Sequence, residues 1–457
     1  MRTLLCGGTL ALADGAKQGD LLLEDGKIAR VGGEIDAPDA QRVDATGCIV
    51  LPGAIDTHTH FDLPVSGTVT ADDFASGTRA AVLGGTTVVL DFATQEKGHT
   101  LAEAFEVWQH KLGRGISCDV GFHMAVTDWN ERTSREIDAM TALGVTSYKF
   151  YLAYPALMVE DDAIYEALVR LKQAGVIAGF HCENGRLVAA LTRQLLASGL
   201  TSCRAHPLSR PPEVEAEAID RLLHIAALAG APVNIVHLSS KAGLEAVRRA
   251  RARGQRVFVE TCPQYLTMDD AVYAREDGAK FVCSPPLRKA EDCAALWEAL
   301  ANGEIDTIGT DHCSFRYDVQ KSGKADFTQI PNGMPGVEHR LALMMTEGVK
   351  AGRISLAQLV QMLCENPAKL FGLYPQKGAL LPGADADVVL WDPSLRHTIT
   401  AESQAQRLDY TPLEGVSVCG GVRAVWVRGK CAVDDGKWLG HNLGRYVART
   451  KPIFQEN

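Results

Sequence analysis

The 457-residue sequence lacks several features that would each indicate a particular class of protein. No window reaches the roughly 18 uninterrupted apolar residues of a membrane-spanning helix. The N-terminal stretch MRTLLCGGTLALADG is interrupted by Gly-Gly, so it lacks the roughly 7–15-residue apolar core of a signal peptide. We therefore expect no membrane partner and no secretion of the chain.

Long runs of charge of one sign are also missing. The 46 basic and 56 acidic residues give a formal net charge of −10, and an acidic chain is a poor partner for a polyanion. The densest basic group lies between Arg248 and Arg256 and contains no aromatic residues that could stack on bases. This pattern is typical of a solvated helix face, so we expect no nucleic-acid partner.

Paired cysteine motifs are absent, although the chain has twelve cysteines. They are scattered, form no CxxC pair and mostly lie within apolar runs such as VCSPP and QMLCENP. Buried free thiols in a reducing compartment explain this pattern better than disulfides do. We therefore expect a cytoplasmic protein.

The two ends of the chain have the same texture of short strands separated by glycine turns. It is seen in TLLCGGTLAL and DLLLEDGKIARVGG near the start, and in DADVVLWDP and GGVRAVWVRGKCAVDDGKW near the end. No helical period is present in the first of these regions. The pattern predicts a small β-sandwich domain built jointly from residues 1–50 and 376–440.

Between these regions, residues 51–375 alternate eight β-branched runs with helix-like stretches rich in Ala, Leu and Glu. Several of the helical patterns stop at a glycine just beyond the last apolar position. Eight β/α alternations favour a closed parallel barrel over an open sheet. The sequence therefore predicts an α/β protein with a (β/α)8 TIM-like barrel. Residues 441–457 form a C-terminal tail, which either contacts a neighbouring subunit or packs on its own barrel.

Side chains able to bind metals gather where the predicted strands end. Barrel enzymes place their chemistry at the carboxyl ends of the strands, and the first strand ends in Asp-Thr-His-Thr-His. Because side chains alternate along a strand, His58 and His60 point to the same face. Imidazole and carboxylate groups suit Zn²⁺ and similar divalent ions. The predicted metal ligands are His58, His60, His181, His237 and Asp311.

Lys149, in the fourth predicted strand, does not fit among metal ligands as a cation. An ammonium group in that position would repel the ions and lose its hydration. Three interpretations remain open from the residues alone: a neutral amine, a carbamate formed with CO₂ that bridges two metals, and a side chain that faces outward to a helix.

An ordered series of motifs extends over nearly the whole chain. It consists of PGAIDTHTHFDLP, SYKFYLAY, HCENG, NIVHLSS, ETCPQYL, CSPPLR, TIGTDHCSF and IPNGMPGVE. In this order the motifs resemble the hydantoinase/dihydropyrimidinase branch of the metal-dependent amidohydrolases. The resemblance implies the same barrel fold, a tetramer, and hydrolysis of a cyclic amide with two divalent metal ions.

The resemblance also implies which residues hold the two ions, with zinc expected first and manganese or cobalt as alternatives. The ligands would be His58, His60 and Asp311 for the more buried ion, and His181 and His237 for the second. Lys149, carboxylated by CO₂, would bridge both ions. The family likeness therefore selects the second of the three interpretations of Lys149.

Four residues match positions that contact the substrate in this family. Asp311 would act as general base and then as general acid, and Tyr154 would stabilise the oxyanion with its hydroxyl group. Ser284 and Asn332 would bind the ureide, largely through backbone groups. From the residues alone, Tyr154 would be a packed aromatic side chain and the other two would be turn residues.

The expected reaction is opening of the ring amide of 5-substituted hydantoins, including aryl-substituted ones, and/or dihydropyrimidines, to give N-carbamoyl amino acids. Allantoinase is the alternative within the family. A non-catalytic interaction protein of the same fold is the alternative from another class. Dihydroorotase is disfavoured because Phe61-Asp62-Leu63-Pro64 offers no arginine for a substrate carboxylate.

The family resemblance places the pocket for the ring substituent in the loops after strands one, two and four. In this sequence those loops contain Leu63, Pro64 and Val65, residues 94–98, and Tyr151 and Leu157. Val65 is small, which would widen the pocket and admit a bulky aryl group. Pockets of this kind discriminate only weakly between substituents that differ by a methylene group.

Overall fold

A closed parallel barrel forms the centre of the computed structural model, which describes residues 2–113 and 115–454. Strands and helices are numbered in chain order. Eight strands form the barrel sheet in the sequential order β6, β9, β10, β11, β12, β13, β14 and β15. Their bounds are β6 (Ala54–Thr59), β9 (Thr86–Thr94), β10 (Asp119–Ala125), β11 (Ser147–Tyr151), β12 (Ile177–His181), β13 (Val233–Ile235), β14 (Val257–Thr261) and β15 (Thr307–Ile308).

The barrel closes between its first and last strands. Thr59, at the end of β6, forms a parallel bridge with His312, four residues after β15. The His60 N–H donates a hydrogen bond to the His312 carbonyl oxygen at 2.8 Å. The predicted (β/α)8 barrel is therefore confirmed, and its closure lies beside the residues predicted to bind metal.

Several helices form where the apolar periodicity and the glycines just beyond the last apolar position predicted them. Thr100 and Glu103 form a capping box at the start of α2, while α4 and α7 end at left-handed glycines, Gly175 and Gly230. The bounds are α1 (Phe74–Leu83), α2 (Leu101–Leu112), α3 (Glu131–Ala142), α4 (Asp161–Ala174), α5 (Gly185–Ala197), α6 (Ala205–Ser209), α7 (Pro212–Ala229), α8 (Lys241–Ala252), α9 (Pro263–Thr267), α10 (Ala290–Ala301), α11 (Arg340–Leu343), α12 (Leu356–Val360) and α13 (Asn366–Leu370).

Shorter or wider helical turns complete the connections. Three are 3₁₀ turns, at Asp270–Ala274, Gly278–Phe281 and Phe327–Gln329, and three are π-helical, at Tyr317–Lys321, Met344–Lys350 and Gln361–Glu365. The basic group is confirmed as a helix face, because Arg248 on α8 pairs with Glu304 at 2.7 Å and with Glu245 at 2.6 Å. Within the described ranges, no helix is long and apolar enough to cross a membrane.

Both ends of the chain contribute to a second sheet of nine strands. In the described residues its order is β19, β18, β17, β16, β5, β1, β2 and β3, with β4 beside β1. A separate two-stranded hairpin, β7 (Pro64–Val65) and β8 (Thr68–Val69), follows the first barrel strand. The sheet strands are β1 (Arg2–Leu12), β2 (Gly15–Glu24), β3 (Lys27–Val31), β4 (Gln41–Asp44), β5 (Ile49–Pro52), β16 (Val388–Thr398), β17 (Ser417–Val427), β18 (Lys430–Asp434) and β19 (Lys437–Trp438).

A buried ion network joins this sheet to the barrel. The Lys377 ammonium lies 2.7 Å from Asp387, 2.9 Å from Asp119 and 3.0 Å from Asp385. Asp119 begins β10, and it also pairs with Arg428, which follows β17. One lysine therefore links the start of a barrel strand to the small sheet.

The C-terminal tail packs on its own barrel as far as the structure describes it; residues 455–457 of the predicted tail lie outside the described residues. The Val447 N–H donates to the Val120 carbonyl oxygen at 2.9 Å. Arg449 is buried and donates to Ser147 Oγ at 2.9 Å, at the start of β11. The oligomer contact predicted for this tail stays a prediction.

The twelve cysteines all belong to the described part of the chain, and all are free thiols. Seven are buried and five are partly buried. The prediction of free thiols is confirmed, and the predicted burial holds for seven of the twelve.

Candidate functional site

The residues predicted to bind metal converge at the carboxyl ends of the barrel strands. Because the strands are parallel, their carboxyl ends meet at one rim of the barrel. Each predicted ligand lies in, or a few residues beyond, the end of its strand. The positions are His58 in β6, His60 directly after it, Lys149 in β11, His181 at the end of β12, His237 after β13 and Asp311 after β15.

His58, His60 and Asp311 form one cluster. Asp311 Oδ1 lies 3.3 Å from His58 Nε2 and 3.2 Å from His60 Nε2. Each of the three residues offers one possible ligand atom, and these three atoms all lie within 4.8 Å of one another. This donor set of two imidazoles and a carboxylate can hold a divalent metal ion.

His181 and His237 form a second cluster beside the first. His181 Nδ1 lies 2.9 Å from His237 Nε2. The His237 ring centroid is 5.3 Å from that of His58, so the two clusters adjoin. A set of nitrogen and oxygen donors and a set of nitrogen donors therefore lie side by side at the rim.

Lys149 is buried near both clusters, and no described residue forms a hydrogen bond with its side-chain nitrogen. The nitrogen lies 5.3 Å from the centroid of the Phe92 ring and 5.4 Å from that of Tyr151. Burial lowers the pKa of Lys149 to about 8, although Asp311 and Glu260 act in the opposite direction. The Lys149 nitrogen is a buried amine without a hydrogen-bond partner in the described ranges, and it lies near five side chains of the kind that bind metals. This combination indicates that the nitrogen binds a group that the protein itself does not supply.

The protonation states of the clustered groups also suit metal binding. Burial lowers the pKa of His58, His181 and His237, which favours the neutral imidazole. Burial alone would raise the pKa of Asp311, but the neighbouring His58 and His60 lower it overall. Neutral imidazoles and an ionised carboxylate are the forms that coordinate metals.

Three of the predicted site residues have a left-handed backbone. Their φ angles are 67° for Tyr154, 41° for His237 and 52° for Asp311. Residues other than glycine rarely adopt this conformation, and it costs free energy that the surrounding structure must offset. The backbone is therefore held in an unfavourable conformation at three positions where the predicted chemistry takes place.

The three residues predicted to bind the substrate lie together. Asn332 Nδ2 donates to Ser284 Oγ at 3.0 Å. Burial raises the pKa of the Tyr154 hydroxyl, and the nearby side chains of Arg210 and Ser284 act in the opposite direction. The Tyr154 ring centroid lies 5.1 Å from that of His181. The residues predicted to bind the substrate are therefore next to the second predicted metal cluster.

Some of the residues predicted to line the pocket for the ring substituent also lie together. Tyr151, Tyr154 and Leu157 pack in one small apolar cluster with Phe92 and Ala125. Pro64 and Val65 form the first strand of the hairpin β7–β8, directly after Leu63.

Comparison with known proteins identifies the family to which this chain belongs. The sequence profile of the amidohydrolase family matches residues 49–432. The chain belongs to the amidohydrolase family. It is 42% identical to a D-hydantoinase of Geobacillus stearothermophilus over 99% of this chain and 97% of that protein, and 42% identical to a D-phenylhydantoinase of Escherichia coli over 99% of each.

A solved structure of high similarity is the dihydropyrimidinase from Brevibacillus agri. It superposes with a TM-score of 0.98 at 41% identity, covering 100% of both chains. Full-length likeness to hydantoinases and to a dihydropyrimidinase places this amidohydrolase in their branch of the family.

Two carboxylates that orient the imidazoles were not predicted from the sequence of this amidohydrolase. His58 Nδ1 lies 2.7 Å from Glu260 Oε1, and His181 Nε2 lies 2.8 Å from Glu183 Oε2. Glu183 is in turn held by Arg210 at 2.6 Å. A carboxylate on the far nitrogen fixes the tautomer of a metal-binding histidine. Both glutamates lie at the carboxyl ends of predicted strands, VIAGFHCE and RVFVETC, and that placement was the available signal.

Two buried aspartates fix the strand ends around the site. Asp56 accepts hydrogen bonds from the Thr310 N–H at 3.0 Å and the Thr310 hydroxyl at 2.7 Å, next to Asp311. Asp91 accepts from the Phe61 N–H at 2.8 Å, next to His60. Hydrogen bonds therefore fix the segment that carries Asp311 and the segment that carries His60, both beside the first cluster.

Proposed function

We propose that this amidohydrolase opens the ring amide of 5-substituted hydantoins, including aryl-substituted ones, and/or of dihydropyrimidines, and releases N-carbamoyl amino acids. The observation that carries the proposal is the convergence of two histidine clusters, Asp311 and the unpartnered Lys149 at one rim of the barrel. Full-length similarity to D-hydantoinases supports the choice of a cyclic amide. It also disfavours allantoinase, the alternative within the family.

In the proposed metal centre, each ion is assigned to the donor side chains that cluster together. His58, His60 and Asp311 would hold one ion, and His181 and His237 a second. Lys149, carboxylated by CO₂, would bridge them, because a carbamate turns the misplaced cation into an anionic ligand and gives the unpartnered nitrogen a role. A pair of divalent ions polarises the scissile carbonyl and makes a water molecule acidic enough to attack at neutral pH.

The protein's own side chains would then direct the protons. Asp311 would accept a proton from the attacking water and deliver it to the ring nitrogen as the C–N bond breaks. Its Oδ1 atom faces the imidazoles of His58 and His60, so Oδ2 is the oxygen that would carry the proton. The Tyr154 hydroxyl would donate a hydrogen bond to the oxygen that becomes negative. Ser284 and Asn332 would bind the ureide.

We also propose the remaining properties on family likeness. Zinc is the expected metal, with manganese or cobalt as alternatives, and the expected assembly is a tetramer in the cytoplasm. Metal analysis of the purified protein tests the first expectation, and light scattering tests the second.

The function is tested with protein loaded with Zn²⁺ or Mn²⁺ in bicarbonate buffer. Ring opening is followed for dihydrouracil, allantoin and each enantiomer of 5-phenylhydantoin, with Asp311→Asn as the matched control. Opening of a hydantoin or of dihydrouracil that the control abolishes supports the proposal. Turnover of allantoin alone favours the alternative enzyme. No turnover with metal bound overturns the proposal and favours a non-catalytic interaction protein.

A further inference from the structure

Lys321 is a fully buried lysine that has no part in the proposed reaction. It ends the π-helical turn Tyr317–Lys321, in the long loop that follows β15. Its side chain has 0% of its surface exposed. Lysines are almost never fully buried unless they are paired, so its surroundings need an explanation.

The partners of Lys321 are three backbone carbonyl groups. Its ammonium nitrogen donates to the Gly333 oxygen at 2.6 Å, the Val282 oxygen at 2.9 Å and the Lys280 oxygen at 3.4 Å. These bonds use all three donors of an ammonium group. Among the described residues, no carboxylate pairs with Lys321.

Filling the space would not require a cation. Burying a charge without an opposite charge costs free energy, and burial lowers the pKa of Lys321 to about 8. A methionine of similar length would fill the same volume without that cost. What the ammonium group adds is the ability to bind carbonyl groups from separate segments at one point.

The two segments that Lys321 joins are the ones that carry Ser284 and Asn332. Val282 lies two residues before Ser284, and Gly333 directly follows Asn332. The Gly333 N–H also donates to the Val282 oxygen at 2.9 Å. The Lys321 nitrogen therefore reinforces a direct contact between the two segments at their closest approach.

The joined segments lie beside Asp311. The Cys313 N–H donates to the Met334 oxygen at 3.0 Å, and His312 forms a parallel bridge with Met334. A shift of Gly333 would therefore move the backbone that is proposed to bind the ureide.

We propose that Lys321 is the positioning residue that sets the spacing of the two ureide-binding segments. The inference rests on the proposed function, since it assigns a role in binding the ring. Lys321 acts on the backbone that binds the ureide, not on the pocket for the ring substituent. Its loss therefore weakens binding of every hydantoin by the same factor.

The test compares Lys321→Met with Lys280→Met. Lys280 is a matched control because it lies in the same region, but its ammonium pairs with Asp277 at 3.1 Å near the surface. Lys321→Gln is a second variant in case the first does not fold, since it keeps an N–H donor on a shorter side chain. Two readouts are taken: amide hydrogen exchange of residues 282–286 and 330–336, and kcat and KM for hydantoin and for 5-phenylhydantoin.

The expected result for Lys321→Met is faster exchange in both segments and a KM raised about tenfold or more. The KM rises by the same factor for both hydantoins, while kcat and metal content stay near those of the Lys280→Met control. Lys321→Gln gives a smaller rise. A purely structural lysine would instead change thermal stability without this selective change in KM.

Two results overturn the inference, and they differ from failure of the proposed function. Unchanged exchange in the two segments overturns it, as does a change in KM that differs between hydantoin and 5-phenylhydantoin. In both cases the unmodified enzyme is active, so the proposed function still holds. An unmodified protein that opens neither hydantoin overturns the proposed function and this inference together.

Discussion

Two buried lysines, Lys149 at the carboxyl rim of the barrel and Lys377 at its joint with the small sheet, have opposite surroundings. Both have 2% or less of their surface exposed. Lys377 touches three carboxylates, which raise its pKa against the effect of burial. In the part of the chain that the structure describes, nothing forms a hydrogen bond with the Lys149 nitrogen, and burial lowers its pKa. The donors of the Lys377 ammonium are satisfied by its partners, whereas the Lys149 nitrogen is the one for which we propose chemistry.

The largest expected effect is on activity, and it concerns Lys149→Met. Removing the nitrogen removes the proposed carbamate, and the rate of ring opening should fall by about 10³-fold or more. The free energy of unfolding of the metal-free protein should change by about 1.5 kcal/mol or less, because the substitution roughly conserves volume. Steady-state kinetics and urea unfolding measure the two effects. Retained activity would show that Lys149 is only a packed side chain.

The same substitution at the other lysine should have the converse effect. Lys377→Met removes a cation shared by three carboxylates; Asp119 keeps Arg428 and Asp385 keeps Lys27, but Asp387 loses its ion-pair partner. The loss should cost about 3–5 kcal/mol in the free energy of unfolding. The kcat of the folded fraction should stay near that of the unmodified enzyme. Urea unfolding followed by circular dichroism is the measurement. A stable variant with low kcat would reverse the comparison between the two lysines.

A smaller effect is expected where a carboxylate supports a predicted ligand. Glu260→Gln weakens the acceptor on His58 Nδ1 and should reduce metal affinity or activity by about 10–100-fold. Competition with a chromophoric chelator measures the affinity. Glu183→Gln is the matched variant for the second cluster, where it acts on His181. If neither substitution changes metal binding, the two glutamates only pack against the histidines.

The smallest expected effect concerns Glu338, an acid that accepts only backbone N–H groups, from Ala405 and Gln406. Burial raises the pKa of Glu338 to about 7. A raised pKa stabilises the fold at low pH, and this contribution is lost as the pH rises from about 4.5 to about 7. Glu338→Gln should therefore gain stability relative to the unmodified protein across that interval. Thermal unfolding from pH 4 to pH 8 measures this, and a pH-independent difference would contradict it.

Much of the fold and of the site followed from local sequence patterns. Strand alternation placed His58 and His60 on one face, and the strand order brought His181, His237 and Asp311 to the same rim. The position of Lys149 did not follow from spacing alone. Its role came from family resemblance, and the structure adds the observation that its nitrogen is buried without a partner.

Contacts between distant segments were the part that local patterns could not give. Glu260 meets His58 across 202 positions of sequence, and no periodicity encodes such a contact. The burial of Arg449 against Ser147 was equally hidden, because the tail has few apolar residues to predict a docking face. Lys321 carried no signal at all, since its partners are backbone carbonyl groups whose positions only the folded chain defines.

The most direct test of the account is a ¹³C NMR spectrum of metal-loaded enzyme prepared in ¹³C-bicarbonate. If Lys149 is the carboxylated bridge, one enriched carbamate carbon per chain appears in the unmodified protein and in Lys321→Met, and it is absent from Lys149→Met. An active, metal-loaded enzyme without this signal would contradict the account, as would a signal that survives in Lys149→Met.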